Sequence, residues 1–166
     1  LNCSVTIIGN GPQRHMVEHV RSQIGDRLRW IDLLPNSEIP AIMRRAKVFL
    51  LPSQWEGHPK TLIEAMACGM AVIGADSPGI GELIEHRVDG WLCGNEADEI
   101  RHAATHLLAR PELCSALGHR ARDRAVAEFS LDVIAKMEWD VLRRTTQDRG
   151  GQCGSLGGEI GHPGAA

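Results

Sequence analysis

The sequence predicts an α/β protein: a Rossmann-like parallel sheet with helices on both faces. Two observations support this fold class. Short apolar runs alternate with helical patterns from residue 3 to residue 93, and this alternation is typical of parallel strands joined by crossover helices. Most of the runs are apolar at successive positions, which indicates strands that are buried on both faces.

Glycine, proline and polar residues separate the predicted elements of this first part of the chain. The strands are predicted at Cys3–Gly9, Leu28–Ile31, Val48–Leu51, Ala71–Gly74 and Trp91–Cys93. The first helix is predicted to end near Ile24, and the next three to span Ser37–Ala46, Lys60–Cys68 and Ile80–Glu85. Ser37 is the expected N-cap of the second helix, and Gly69 is expected to end the third.

After Asn95 the sequence becomes helical throughout, with predicted helices at Ala97–Ala109, Pro111–Glu128 and Leu131–Arg144. Pro111 suits a first-turn position and Ser130 suits an N-cap. Residues 1–146 are therefore predicted to form one domain. Residues 147–166 are rich in glycine and almost free of core-forming side chains, so we expect a disordered tail.

The composition is ordinary for one soluble globular domain. The chain has 166 residues, 43% of them hydrophobic, and a formal net charge of −3, which gives no indication of a nucleic-acid surface. No apolar run approaches the ~20 residues that span a bilayer. The chain opens at Leu1 without a signal-like segment, and this is expected to be a fragment boundary.

Cysteine and histidine are scattered along the chain. The five cysteines form no C-x-x-C pair, which predicts reduced thiols and a cytoplasmic location. His15 and His19 are four residues apart, as are His102 and His106, so each pair could share a helix face. No nearby cysteine or carboxylate completes a convincing ligand set, and we expect no metal site.

The turn Gly9-Asn10-Gly11-Pro12 follows a strand and precedes a helix. A dinucleotide-binding fingerprint requires a third glycine at the helix start, and Arg14 stands at that position. Two interpretations remain. Gly9 and Gly11 either form a tight turn that packs helix against strand, or line a ligand at the carboxyl edge of the sheet.

The segment Glu56–Glu64 places two carboxylates around a predicted helix start. If Thr61 is the N-cap, Glu64 folds back to complete a capping box, and Lys60 could also pair with Glu64. If Pro59 is the first helical residue, Glu64 lies too deep to cap the helix. Two carboxylates with free backbone N–H groups between them would then suit a ligand carrying hydroxyls and phosphate.

This segment closely resembles the donor-site signature of the family-4 retaining glycosyltransferases. The matching residues are Leu50-Leu51-Pro52-Ser53, Glu56-Gly57-His58-Pro59 and Glu64-Ala65-Met66-Ala67-Cys68-Gly69. The two glutamates have the spacing E-x7-E. The resemblance extends to Ile7–Pro12, Pro78–Ile84, Asp89–Leu92 and Glu128–Ser130, and covers roughly residues 4–145.

The resemblance implies the C-terminal, nucleotide-sugar-binding half of a GT-B architecture. Glu56 would contact the transferred sugar near its anomeric carbon, as the catalytic residue, and Glu64 would bind the nucleotide ribose. Backbone amides of the segment Gly57, His58, Pro59, Lys60, Thr61 and Leu62 would meet the sugar and the diphosphate. Transfer would retain the anomeric configuration without a metal or other cofactor, because positive charge and a helix dipole stabilise the leaving diphosphate.

The resemblance also implies that parts of the site lie outside these residues. The first strand–helix unit, whose loop carries an arginine and a lysine that clamp the diphosphate, is expected to be absent, as is the N-terminal acceptor domain. Lys60 either touches phosphate or is an ordinary exposed lysine. We therefore expect the fragment alone to be inactive and to bind a nucleotide sugar weakly at most.

Two other functions remain open at this point. One is a sugar-nucleotide epimerase of similar fold, and the other is a nucleotide-sugar-binding fragment without chemistry. The arginines of the last helices, Arg120, Arg122, Arg124, Arg143 and Arg144, suggest either a solvated face or peripheral contact with an anionic membrane.

Overall fold

The computed structural model describes residues 3–150 and contains five strands and six α-helices in that range. The strands are β1 (Val5–Ile8), β2 (Leu28–Ile31), β3 (Val48–Leu51), β4 (Ala71–Ala75) and β5 (Trp91–Cys93). The helices are α1 (Arg14–Ile24), α2 (Ile39–Met43), α3 (Lys60–Ala67), α4 (Ala97–Leu108), α5 (Pro111–Phe129) and α6 (Leu131–Gly150). The chain divides into two compact units between Val126 and Ala127.

The strands form two parallel sheets in place of the single sheet that was expected. One sheet pairs β1 with β2, and the other has the order β3-β4-β5. In the described residues each of β1 and β3 has a partner on one side only. All five residues of β4 are buried, whereas β1 is largely exposed, with Val5 at 43% and Ile8 at 36%. The prediction of strands buried on both faces is therefore correct for β4 and wrong for β1.

The core of the first unit is built around β4. Val72 and Ile73 are fully buried, and α3 contributes Leu62 and Met66, which are buried as completely. A second cluster joins Ala71 and Ile73 of β4 to buried side chains of α4 and α5: Ala103, Leu107, Cys114 and Leu117. Burial of such side chains supplies most of the free energy that holds strands and helices together.

Three arginines of α5 donate hydrogen bonds to the loops and helices of the first unit. The Arg120 Nε donates to the carbonyl of Val88, and the Arg122 Nη1 donates to the carbonyl of Ala67 at 2.7 Å. The Arg124 Nη1 lies 2.8 Å from Oδ2 of Asp89, a buried carboxylate. The half-buried Arg124 is therefore engaged within the protein, whereas Arg120 and Arg122 each donate one hydrogen bond and remain exposed to solvent.

Several predicted element boundaries are wrong. Residues 80–85 form hydrogen-bonded turns and not a helix, since Gly79 at φ +81° redirects the backbone before it. The second helix begins at Ile39 with Glu38 as N-cap, so Ser37 does not cap it. α6 runs to Gly150 and so includes the first residues of the predicted tail; the rest of that tail, residues 151–166, lies outside the described residues.

The other boundaries agree closely with prediction. The bounds of β2, β3 and β5 are those expected, and Pro111 opens α5. Gly69 has φ +76° directly after the last turn of α3, as the C′ position requires. Among the described residues, no helix combines the length and apolar character needed to cross a bilayer.

Gly118 provides a test of how closely α5 approaches the α3–β4 turn. A Cβ at this position would lie 2.2 Å from the carbonyl oxygen of Gly69, so Gly118→Ala forces the two backbones apart. A helical Gly→Ala change normally stabilises by roughly 0.5–1 kcal/mol. Here we expect a loss of about 1–3 kcal/mol in the free energy of unfolding, measured by urea denaturation.

Val126→Ala on the same helix is the control, because Val126 is 54% exposed. We expect this change to alter the stability by less than about 0.5 kcal/mol. A stability gain in Gly118→Ala would contradict the close approach.

Candidate functional site

The loop between β3 and α3 is tied to the loop that follows β4. The Ser77 hydroxyl donates to the carbonyl of Ser53 at 2.9 Å, and the backbone N–H of Glu56 donates to the carbonyl of Pro78 at 3.2 Å. Both loops leave the carboxyl ends of adjacent parallel strands, which is where α/β proteins place ligands. The backbone of Glu56 is therefore fixed by a neighbouring loop, while its side chain is half-buried.

Gly79 makes the contact between these loops possible. Its φ of +81° lies in the left-handed region, and a Cβ there would lie 1.9 Å from the carbonyl oxygen of Glu56. Only glycine meets both conditions without strain. The sequence contains the Pro78-Gly79 turn signal, but its role as a support for Glu56 was not predicted.

Helix α3 begins at Lys60, and Pro59 is its N-cap. The predicted start at Lys60 is therefore correct, whereas neither capping alternative is: Thr61 is not the N-cap, and Pro59 is not the first helical residue. The carbonyl of Pro59 accepts hydrogen bonds from the backbone N–H groups of Leu62 at 3.0 Å and Ile63 at 3.3 Å. The N–H groups of Lys60 and Thr61 point out of the helix start, where no intrahelical acceptor exists.

Glu64 neither caps α3 nor pairs with Lys60. No side-chain capping hydrogen bond occurs at this helix start, and no ion pair links Glu64 to Lys60 in the described part of the chain. Both side chains are exposed. Glu64 is the fifth helical residue and lies about 6 Å along the axis from Lys60. Its carboxylate is available to a ligand at a different depth from Glu56.

The remaining predicted donor-site residues occupy distinct environments. Gly57, His58 and Thr61 are exposed on the loop and the first helical turn, whereas Pro59 and Leu62 are buried. The side chain of Leu62 belongs to the core, and its N–H is already bonded within the helix. The exposed backbone between Glu56 and Glu64 thus consists of Gly57, His58, Lys60 and Thr61.

Gly9 and Gly11 lie in the loop that follows β1, which belongs to the two-stranded sheet. Gly9 has φ +135°, its N–H donates to the carbonyl of Ile31 at 3.0 Å, and its carbonyl accepts from the Trp30 Nε1 at 3.0 Å. These bonds tie the turn to β2. A Cβ on Gly11 would meet nothing within 4 Å, so close helix–strand packing does not explain this second glycine.

Four cysteines lie in the described residues, and one of them, Cys114, is buried. Within residues 3–146, no group of three histidine, cysteine or carboxylate side chains is positioned to hold a metal ion. The described cysteines are free thiols. Burial raises the pKa of the Cys114 thiol, partly offset by Lys47, which makes this thiol a poor nucleophile at neutral pH.

Residues 1–124 match the family described as "Glycosyl transferases group 1". The chain belongs to this family. Among curated glycosyl transferases of similar sequence, the alpha-maltose-1-phosphate synthase of Mycobacterium tuberculosis (strain H37Rv) is 33% identical over 123 residues, covering 69% of this chain and 32% of that protein. The N-acetyl-alpha-D-glucosaminyl L-malate synthase of Bacillus anthracis is 28% identical over 148 residues, covering 86% of this chain and 39% of that protein. The group 1 chain thus spans about a third of the length of these relatives.

Solved structures share the fold of this group 1 chain. A sucrose-phosphate synthase from Thermosynechococcus elongatus superposes with a TM-score of 0.80 at 25% identity, covering 86% of this chain and 38% of that one. Anabaena Alr3699/HepE, solved in complex with UDP, superposes with a TM-score of 0.77 at 21% identity, covering 86% of this chain and 41% of that one. The family match confirms that the chain is a group 1 glycosyl transferase sequence, and the superpositions confirm the α/β fold of the GT-B glycosyltransferases.

The two glycines near Glu56 provide a matched test of the loop geometry. Gly79→Ala combines a left-handed backbone with a clash against Glu56, and we expect it to lower the free energy of unfolding by about 2–4 kcal/mol. Gly57→Ala is the control, because a Cβ there meets only Trp55, at 3.7 Å. Urea denaturation of both variants measures the difference, and equal losses would contradict the proposed support of Glu56 by Gly79.

Proposed function

We propose that this chain is the nucleotide-sugar-binding domain of a retaining glycosyltransferase. The observation that carries the proposal is the geometry around the start of α3. The backbone of Glu56, whose side chain is half-buried, is held by the Pro78–Gly79 turn. The exposed carboxylate of Glu64 lies deeper along the helix, and within the described residues it makes neither a capping bond nor an ion pair. Carboxylates in such positions accept hydrogen bonds from sugar hydroxyls.

In this proposal each carboxylate has a separate role. Glu56 contacts the hydroxyls of the transferred sugar beside the anomeric carbon, and Glu64 accepts hydrogen bonds from the ribose. The backbone N–H groups of Lys60 and Thr61, together with the positive end of the α3 dipole, face the diphosphate between them. A retained anomeric configuration and independence from metal ions belong to the same proposal.

The comparisons support a nucleotide sugar as the ligand. The HepE structures contain UDP in one case and UDP-glucose in another, and the fold of this chain follows theirs. The curated relatives are named as synthases of glycosylated products. Membership of the group 1 family favours glycosyl transfer over sugar-nucleotide epimerisation.

The proposed enzyme requires segments beyond those described. In the described residues β1 and β3 each lack a second partner, and in the six-stranded order 3-2-1-4-5-6 of doubly wound sheets one further strand would pair with both of them. A further strand–helix unit there would also supply the cations that clamp a diphosphate. Exposed apolar residues of α6, among them Trp139 and Val141, fit a chain in which an acceptor domain covers them.

A nucleotide-sugar-binding role without chemistry is the second candidate. It is favoured by the small number of cations at the α3 start, where Lys60 is the one basic side chain among residues 59–67. Calorimetry of the 166-residue chain with UDP-, GDP- and ADP-sugars tests for binding, and we expect weak binding at most. Turnover by this chain alone would contradict our proposal that it is incomplete as an enzyme.

Substitutions in the full-length protein test the two carboxylate roles. We expect Glu64→Gln to weaken binding of the nucleotide diphosphate roughly tenfold or more, because a charge-assisted hydrogen bond is lost. We expect Glu56→Gln to lower kcat about 100-fold or more, with little effect on binding of the free nucleotide, because its partner is the reacting sugar.

The matched control is Glu112→Gln, which removes an exposed carboxylate at the start of α5. This variant should leave both measurements unchanged. Equal effects of Glu56→Gln and Glu64→Gln on nucleotide binding would contradict the division of roles between sugar and ribose.

A further inference from the structure

Basic side chains gather around one indole at the edge of the second sheet, away from the α3 start in sequence. We call this group the Trp91 cluster; it consists of Trp91 on β5, His86 and Arg87 in the turn before it, and His102, His106 and Arg110 on or just after α4. The rings of Trp91 and His106 lie 4.5 Å apart, and that of His86 lies 4.8 Å from Trp91 on a steep tilt. The Arg87 guanidinium lies 5.3 Å from the centre of the indole.

The cationic groups of the Trp91 cluster lack acidic partners. Neither Arg87 nor Arg110 forms an ion pair with a carboxylate in the described part of the chain. Asp89 pairs with Arg124, and Asp98 pairs with Arg101. Three further carboxylates, Glu85, Glu99 and Glu112, lie within three residues of cluster members, and none of them forms an ion pair in the described part of the chain. Unpaired cations that converge on one surface attract anions.

The pKa of His106 indicates that the electrostatic potential inside the Trp91 cluster is positive. Partial burial lowers the pKa of His106, and Arg110, His102 and Arg87 lower it further. Arg110 and His102 face this ring from its own helix, while Arg87 faces it from the turn before β5. No carboxylate acts on it, so an anion bound here would relieve repulsion that the protein alone leaves uncompensated.

Arg87 occupies a backbone conformation that glycine would adopt without strain. Its φ is +68°, and it is the one non-glycine residue with positive φ in the described part of the chain. The turn is closed by its N–H, which donates to the carbonyl of Gly90 at 2.8 Å. A residue with a side chain is unfavourable in this conformation, so the turn alone does not explain why arginine occupies the position. Backbone strain of this kind clusters at binding sites.

His86 is held in an orientation that supplies a donor. Its Nδ1 accepts a hydrogen bond from the backbone N–H of Leu92 at 3.0 Å, so the neutral ring carries its proton on Nε2. The Nε2–H group belongs to the side chain of His86, which is exposed to solvent. The turn residues His86 and Arg87 and the α4 residue His106 thus lie around the same indole.

We propose that the Trp91 cluster is a binding site for phosphate-bearing anions, in which Arg87 and Arg110 hold the anion and the charged form of the His106 ring strengthens its binding. The ligand is a free phosphate compound or the phosphate headgroup of a lipid. This site is independent of the donor site around Glu56, and neither requires the other.

The test uses inorganic pyrophosphate as the probe and the 166-residue chain as the protein. The pH titration of the His106 ring is followed by NMR at constant ionic strength, with and without pyrophosphate. We expect pyrophosphate to move the titration midpoint of His106 to higher pH, because a bound anion favours the charged ring. An unchanged midpoint at saturating pyrophosphate overturns the proposal.

Variants separate this site from the donor site and from a purely structural role. Arg87→Gly relieves the strained backbone, so we expect it to keep the stability of the parent while weakening pyrophosphate binding at the cluster roughly tenfold. Arg101→Ala, which removes a guanidinium already paired with Asp98 on the same helix, should bind as the parent does. Parent-like binding by Arg87→Gly overturns the assignment.

Stability gives a second readout. The folded state holds the His106 proton less tightly than the unfolded chain does, so this group destabilises the fold as pH falls below its ordinary value of 6.5. We expect pyrophosphate to raise the unfolding temperature more at pH 5.5 than at pH 8, and Arg87→Gly to reduce that difference. An equal or smaller effect at pH 5.5 contradicts proton-linked binding.

Vesicles distinguish the two sources of phosphate. Sedimentation with phosphatidylglycerol vesicles that depends on Arg87 and is absent with phosphatidylcholine identifies a lipid headgroup. A response to pyrophosphate without sedimentation identifies a soluble phosphate compound. Sedimentation that is equal in the parent and in Arg87→Gly, without a response to pyrophosphate, places the anion elsewhere and overturns the proposal.

Discussion

The complete burial of β4 determines where the candidate site can form. Its residues pair with β3 on one side and β5 on the other, and α3, α4 and α5 all contribute buried side chains to the same core. The loop after β4 is thereby fixed at one edge of the sheet. Because Ser77, Pro78 and Gly79 of that loop contact the backbone of the preceding one, the position of Glu56 follows from the packing of a strand to which it does not belong.

The sequence predicts local elements well wherever apolar runs are bounded by residues with restricted backbones. The bounds of β2, β3 and β5 and the glycine end of α3 are of this kind. The start of α3 at Lys60 was predicted, but its cap could not be, since a capping box and an N1 proline both satisfied the local rules. The structure adopts neither. Pro59 is buried by its surroundings and becomes the N-cap, a choice made by tertiary packing.

The division into two sheets marks a second limit of local patterns. The apolar sequence of β1 is that of a strand buried on both faces, yet Val5 and Ile8 are exposed. An apolar run predicts that a strand will be covered, but it carries no information about which residues cover it. The same holds for the turn 80–85, whose apolar residues Ile80 and Ile84 are buried in a backbone that the pattern alone presents as a helix.

The two proposed anion-binding regions rely on different physics, and this separates their behaviour. At the start of α3 the attraction comes from Lys60 and from backbone N–H groups, which carry no titratable charge. In the Trp91 cluster the attraction comes from two arginines and from His106, whose pKa is lowered by burial and by neighbouring cations, so that its positive charge appears only as pH falls. A diphosphate at α3 should thus bind with little dependence on pH, while an anion at Trp91 should bind more tightly as pH falls. The strained backbone of Arg87 is consistent with this view, because the turn itself would be more stable with glycine at that position.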